Sequence, residues 1–239
     1  MRPNARLAWL GILGIAICPA LAADPRPDDV PAQRPAELLR QVGLTPRAQE
    51  AVRSGLEWLA RTQNPDGSWS AWVGYKLNTD YRKERHAPEV GVSGLAGIAF
   101  LANGHVPGRG RYGQAVTKAV DYVAGRVEPS GFITDNESRM YSHAFAGLFL
   151  AEVYGQTHRA DLRERLGRVV KLLTAAQAHN EHGGWRYDPA SRDADISLTV
   201  CQLQLLRAAL NAGITVPKSV IDKAVEYVLT CRSRGVSWA

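Results

Sequence analysis

Two aspartates, Asp193 and Asp195, stand one residue apart just before an apolar run that opens at Ile196. A carboxyl beside a second carboxylate and an apolar wall keeps its proton to higher pH, which is what a general acid needs. Asp195 is equally placed to cap a helix starting at Ile196, with Ser197 and Thr199 in support. His143 opens another apolar run, where an imidazole either packs with a local hydrogen bond or serves as a ligand. Glu89 precedes a third run, at Val90. His179 and His182 flank a turn, and that spacing by itself specifies no metal. Phe100, Tyr141, Phe145 and Phe149 could line an apolar cavity, with core packing as the competing reading.

These residues need a scaffold, and the 239-residue chain, 45% hydrophobic, is long enough to bury one sizeable core. Its first segment stands apart. Arg2 and Arg6 precede an apolar stretch from Leu7 to Cys18, and Ala20-Leu21-Ala22 offers a small-residue cleavage site. This layout predicts a secretory signal peptide over residues 1–22, cut near Ala22, and a mature protein that is exported to the periplasm or the exterior. Acylation of Cys18 would require a small residue before it, where Ile17 stands. Residues 23–45 are rich in proline and read as a linker, with a short helix over 37–42. The net charge is +6, two units of it in the leading segment. An excess that mild, spread over helix faces and loops, excludes a nucleic-acid-binding role. Cys201 and Cys231 remain after processing. Their spacing requires no disulfide, and Cys201 reads as a small buried hydrophobe.

From Thr45-Pro46 onward two kinds of helix alternate over a domain spanning residues 46–239. Amphipathic segments carry Val52, Leu56 and Leu59, then Val116, Val120 and Val123, then Leu162, Leu166, Val169 and Leu173, then Ile221, Ala224 and Val228. Between them lie segments apolar on nearly every side: 90–102, 143–151 and 196–210. Helices of that kind are buried between other layers, so the chain reads as outer and inner helices in sequence. Each outer helix runs into a turn with glycine and an aromatic: Gly67-Ser68-Trp69, Gly131-Phe132, Gly183-Gly184-Trp185, and a degraded copy, Gly235-Val236-Ser237-Trp238. The aromatics recur roughly every 53 to 63 residues, the period of stacked supersecondary units. Trp58, Tyr122 and Tyr227 occupy matching places on outer helices and read as repeat packing. The inner segments exit at Asn103-Gly104, Tyr154-Gly155 and Asn211-Ala212-Gly213.

The stretch Gln63-Asn64-Pro65-Asp66-Gly67-Ser68-Trp69 resembles the QW motif of the squalene cyclase and prenyltransferase β-subunit repeat superfamily. The segments Met140 to Gly155 and Gly183 to Tyr187 look most like the exported repeat proteins of planctomycete-type bacteria, a group without an assigned reaction. The resemblance covers residues 46–238 and implies an all-α fold, an α/α-toroid whose inner helices line a central cavity. About three hairpins and one further helix are present where a closed ring needs about six. The expectation is an open array, either cut short or completed by another chain, with self-association through its open end.

The resemblance also implies roles for residues at the N-terminal ends of the inner helices. Asp193-Ala194-Asp195-Ile196 is similar to the acid motif of squalene-hopene-type cyclases, with Ile196 where a third acid stands. Prenyltransferase β-subunits hold zinc with an aspartate, a cysteine two residues on, and a distant histidine. Asp193 and His143 could be two such ligands, with Asp195 in the cysteine's place. Cys201-Gln202-Leu203-Gln204 has the Cys-x-x-Gln spacing of macroglobulin-like thioester domains, but lies inside an apolar segment. The candidate sites are therefore Asp195 and Asp193 for catalysis and His143, Glu89, Tyr141 and Phe145 for a cavity lining. No cofactor is required, zinc being the one metal the resemblance suggests. Because the catalytic signatures are incomplete, the expected function is an exported binding scaffold. Its inner-helix face would hold a protein segment, a glycan or a lipid. The alternative is a terpene cyclase or prenyltransferase-like enzyme acting on an isoprenoid.

Overall fold

A computed structural model of the chain describes residues 45–71, 87–135 and 138–232. The leading segment, the linker up to residue 44 and the Gly235–Trp238 turn lie outside the described residues. Within them the protein is all-α, with seven helices and, besides these, only isolated β-bridges. The helices are α1 (Pro46–Thr62), α2 (Val90–Leu101), α3 (Gly113–Gly125), α4 (Met140–Thr157), α5 (Ala160–His179), α6 (Ile196–Asn211) and α7 (Lys218–Thr230). Thr45 starts α1 as its composition predicts: Oγ1 accepts the Ala48 N–H at 3.2 Å, and Pro46 takes the first helical position.

The packing described here is that of the compact unit Ala51–Ala239. The three apolar helices pack on one another in chain order, α2 on α4 and α4 on α6. The amphipathic helices pack on this row: α3 on α2 and α4, α5 on α4 and α6, α7 on α6. Their apolar stripes, Val116, Val120 and Val123 on α3 and Leu162, Leu166, Val169 and Leu173 on α5, are inaccessible to solvent. Glycines set the closeness of the row. A Cβ on Gly91 would lie 2.7 Å from the Ser142 Cα, and one on Gly94 2.8 Å from the Phe145 carbonyl.

The recurring turn joins the two kinds of helix by one set of bonds. At the end of α1, Gln63 Nε2 donates to the Gly67 carbonyl (3.0 Å) and to Ala115, third residue of α3 (2.9 Å). At the end of α5, Gln177 Nε2 donates to Gly183 (2.7 Å) and to Val220, third residue of α7 (2.8 Å). Trp69 and Trp185 are buried, and their indole N–H groups donate to Leu59 (2.8 Å) and Leu173 (3.0 Å), each four residues before the glutamine. Thus the glutamine ties a hairpin to the next amphipathic helix, while the tryptophan locks the turn onto its own.

The middle copy corrects the sequence reading. Aligned on its glycine, the residue in the tryptophan's place is Ile133, fully buried, and not Phe132. Phe132 is half-buried and stacks on His143, ring centroids 5.4 Å apart. Val127 stands in the glutamine's place. Two other expectations fail. Trp58 is 54% exposed although its counterpart Tyr122 is buried, so the shared register does not give shared packing. Gly155 is not a helix stop either: α4 continues to Thr157 and ends on His158, at φ 52°.

Candidate functional site

Every apolar helix starts at a residue in extended conformation: Glu89, Arg139 and Asp195. The preceding turn places the first and last of these. The Trp69 carbonyl accepts the Glu89 N–H at 3.1 Å, and the Trp185 carbonyl accepts that of Asp195 at 2.9 Å. The fourth residue of each helix closes the connection in the other sense. Ser93 Oγ accepts the Trp69 N–H (2.9 Å), Thr199 Oγ1 that of Trp185 (3.1 Å), and His143 Nδ1 that of Ile133 (3.0 Å).

His143 therefore does the work of a serine or threonine in its copy of the turn. Helix α4 starts a full turn before the sequence reading placed it, so His143 sits inside the packing and not at the helix tip. It is wholly buried, and Nε2 has no hydrogen-bond partner. Burial holds the imidazole neutral, its pKa lowered to about 3. In the unfolded chain it titrates near 6.5, so below that pH the unfolded state binds the extra proton. Stability is then full above about pH 6.5 and falls by up to about 1.4 kcal/mol per pH unit as pH drops toward 3. Urea midpoints of the protein and of His143→Gln between pH 7.5 and 4.5 should diverge in that sense; parallel curves would reject it.

Asp195 caps α6. Its Oδ1 accepts from Ser197 Oγ (2.6 Å) and the Leu198 N–H (3.0 Å), and the Tyr141 hydroxyl lies 3.4 Å away. The Tyr141 hydroxyl in turn meets Ser197 Oγ at 2.5 Å, linking α4 to α6. The Ser197 hydrogen bond, then that of Leu198, hold the Asp195 carboxyl below its usual range. A carboxylate held ionised in this way is a hydrogen-bond acceptor and not a proton reservoir. Asp193 lies apart in solvent, paired with Arg186 at 2.7 Å and 3.9 Å from His182 Nε2. Glu89 is buried.

Zinc does not fit these residues. Among the described residues no three His, Cys, Asp or Glu side chains gather as a metal site. His143 is enclosed with Nδ1 engaged, and Asp193 faces solvent beside an arginine. Cys201 and Cys231 are unpaired thiols, and burial raises the Cys201 pKa, which makes it a poor nucleophile.

What the described residues do assemble is an apolar face. Each helix of the α2–α4–α6 row packs sideways on its neighbours and on the amphipathic helices, and its remaining side is open. That side carries Leu95 (45% exposed) on α2, half-buried Tyr141 and Phe145 on α4, and Ile196 (44%) and Val200 (39%) on α6. The Tyr141–Ser197–Asp195 cluster forms a polar edge at its end. The sequence singled out Tyr141 and Phe145 as candidate lining and Ser197 as support for the Asp195 cap; it did not single out Leu95 or Val200. Segments apolar all round hide which side is left open, and the only signal was the polar insertion of Ser197, Gln204 and Arg207 into α6. Compared with known proteins, the chain matches no family model and no curated protein. Among the described residues, no helix is long and apolar enough to cross a membrane.

Proposed function

We propose that this chain is an exported, non-catalytic repeat scaffold of the squalene cyclase and prenyltransferase β-subunit type, holding an elongated apolar ligand of lipid character on its α2–α4–α6 face. The observation that carries the reading is the band of exposed and half-buried aliphatic and aromatic side chains across three successive helices, Leu95, Phe145 and Val200, bounded by the Tyr141–Ser197–Asp195 cluster at one end and by Gln204 and Arg207 of α6 at the other. A glycan would ask for polar groups distributed along the face, whereas an acyl or isoprenoid chain asks for this pattern. The glutamine-and-tryptophan turn supports the superfamily, and the layout of residues 1–22 supports export. Against the enzyme alternative stands the Asp195 carboxylate, engaged as a cap and held ionised.

Calorimetric titration with farnesol, dodecanol and maltohexaose tests this. The alcohols should bind saturably and the sugar should not. The exposed-residue variants Leu95→Asp and Val200→Asp, with unchanged circular dichroism, should bind the alcohols at least about tenfold more weakly, since each buries a charge under the ligand. Failure of both alcohols to bind, or equal binding by the variants, would reject the reading.

A further inference from the structure

A second apolar surface lies away from that face. Helix α5 and the chain from Gly213 to Pro217 enclose a groove of about 590 Å³. Its floor is Val170, Thr174, Ala175 and Ala178 with Ile214 opposite, and Arg163 and Lys171 stand on its rim. No acidic residue lines it. Among the described residues Lys171 makes no ion pair, and Arg163 has only a long contact, 3.5 Å, to the Tyr154 hydroxyl.

The preceding junction explains why this groove is open. There the register position of Lys171, six residues before the turn's anchor (Gln177 here, Val127 there), is Asp121. Helix α5 begins with an extra turn, and Arg159, which stands just before it, reaches Asp121 at 2.7 Å and closes the junction. At the next junction, α7 lacks that turn and is preceded by Pro217, and Lys171 replaces the aspartate. The cation is present and its carboxylate is not.

We infer that the α5 groove is a docking site for an acidic amphipathic helix of a partner protein, whose aliphatic side chains fill the groove while two carboxylates meet Arg163 and Lys171. Charge complementarity carries this choice. The two cations are eight residues apart on one helix, hence two turns or about 12 Å. A single anionic headgroup reaches one of them; acidic residues two turns apart on a helix reach both. Helix-in-groove docking uses this pattern of apolar anchors with flanking charges.

The test uses the whole protein and a fluorescein-labelled, end-capped helical peptide with two glutamates two turns apart beside a leucine–alanine stripe. Anisotropy should show saturable binding that weakens with salt. Lys171→Glu and Arg163→Glu should each reduce it at least about tenfold, and a peptide with lysines for the glutamates should bind the double variant Arg163→Glu/Lys171→Glu and not the parent. Ala175→Trp, which fills the groove without changing charge, should abolish binding. Circular dichroism establishes that each variant is folded. No saturable binding, binding indifferent to Lys171→Glu or to Ala175→Trp, or displacement of the peptide by laurate acting through one cation alone would each overturn the inference. Farnesol should not compete, because it belongs to the other face; competition would overturn the assignment to this groove.

Discussion

Trp185→Ala should destabilise the protein by about 3–5 kcal/mol, a fall in Tm of roughly 10 °C, making it the most damaging single truncation in the repeat. Three effects act together. The ring is almost fully buried, so its removal leaves a cavity among side chains that relax only in part. Its indole N–H leaves the Leu173 carbonyl, losing the bond that seats the turn on α5. The turn's backbone also positions α6, since the Trp185 carbonyl accepts the Asp195 N–H and its own N–H donates to Thr199. Trp185→Phe separates the terms: it keeps most of the volume and forfeits the indole bond, for about 1 kcal/mol. Equal loss in the two variants, read from urea denaturation, would show that the hydrogen bond and not the packing dominates.

A paired glycine experiment reads the stacking of one repeat on the next. Gly67 and Gly104 both have positive φ, 93° and 79°, so alanine is strained at either by about 1 kcal/mol. Their surroundings differ. A Cβ on Gly104 meets nothing within 4 Å, whereas one on Gly67 runs into the backbone carbonyl of Lys118 on α3. A backbone carbonyl in a helix cannot swing aside as a side chain can. Gly67→Ala should therefore cost roughly 2–4 kcal/mol and Gly104→Ala only the conformational part. Matching losses in the two would mean that the turn does not rest on the following helix.

The helical architecture was readable because its signals are local. Thr45-Pro46 marks the start of α1, and the spacing from Ile221 through Ala224 to Val228 marks α7, which spans Lys218–Thr230. The middle turn was misread because an aromatic was sought, when what the fold conserves between its copies is a large residue two positions after glycine. Counting from the glycine would have chosen Ile133. His143 was misplaced for a related reason. Nothing local announces that Met140 to Ser142 already belong to α4, so a residue in its fourth position was taken for one at its tip. Asp195 was legible as a cap because capping involves only the next three residues. Burial of Glu89 was not, since it depends on which helices arrive from elsewhere in the chain. The open face was hidden for the same reason: composition reports that α2 and α6 are apolar, and only packing decides which side meets water.

The substitution of Val127 for glutamine has a mechanical consequence. At the other two junctions the load between successive amphipathic helices passes through a carboxamide that is part-buried and uncharged, where dissolved ions have little purchase. Beside Val127 it passes through Arg159 and Asp121, with Asp121 59% exposed, and through Arg165 donating to the Ala124 carbonyl at 2.6 Å. At physiological ionic strength charges are screened beyond about 8 Å, and exposed pairs weaken further as salt rises. Among the described junctions one thus has a stiffness that follows the electrolyte around it, set between two that do not, so a rise in salt would loosen the array at that single known place.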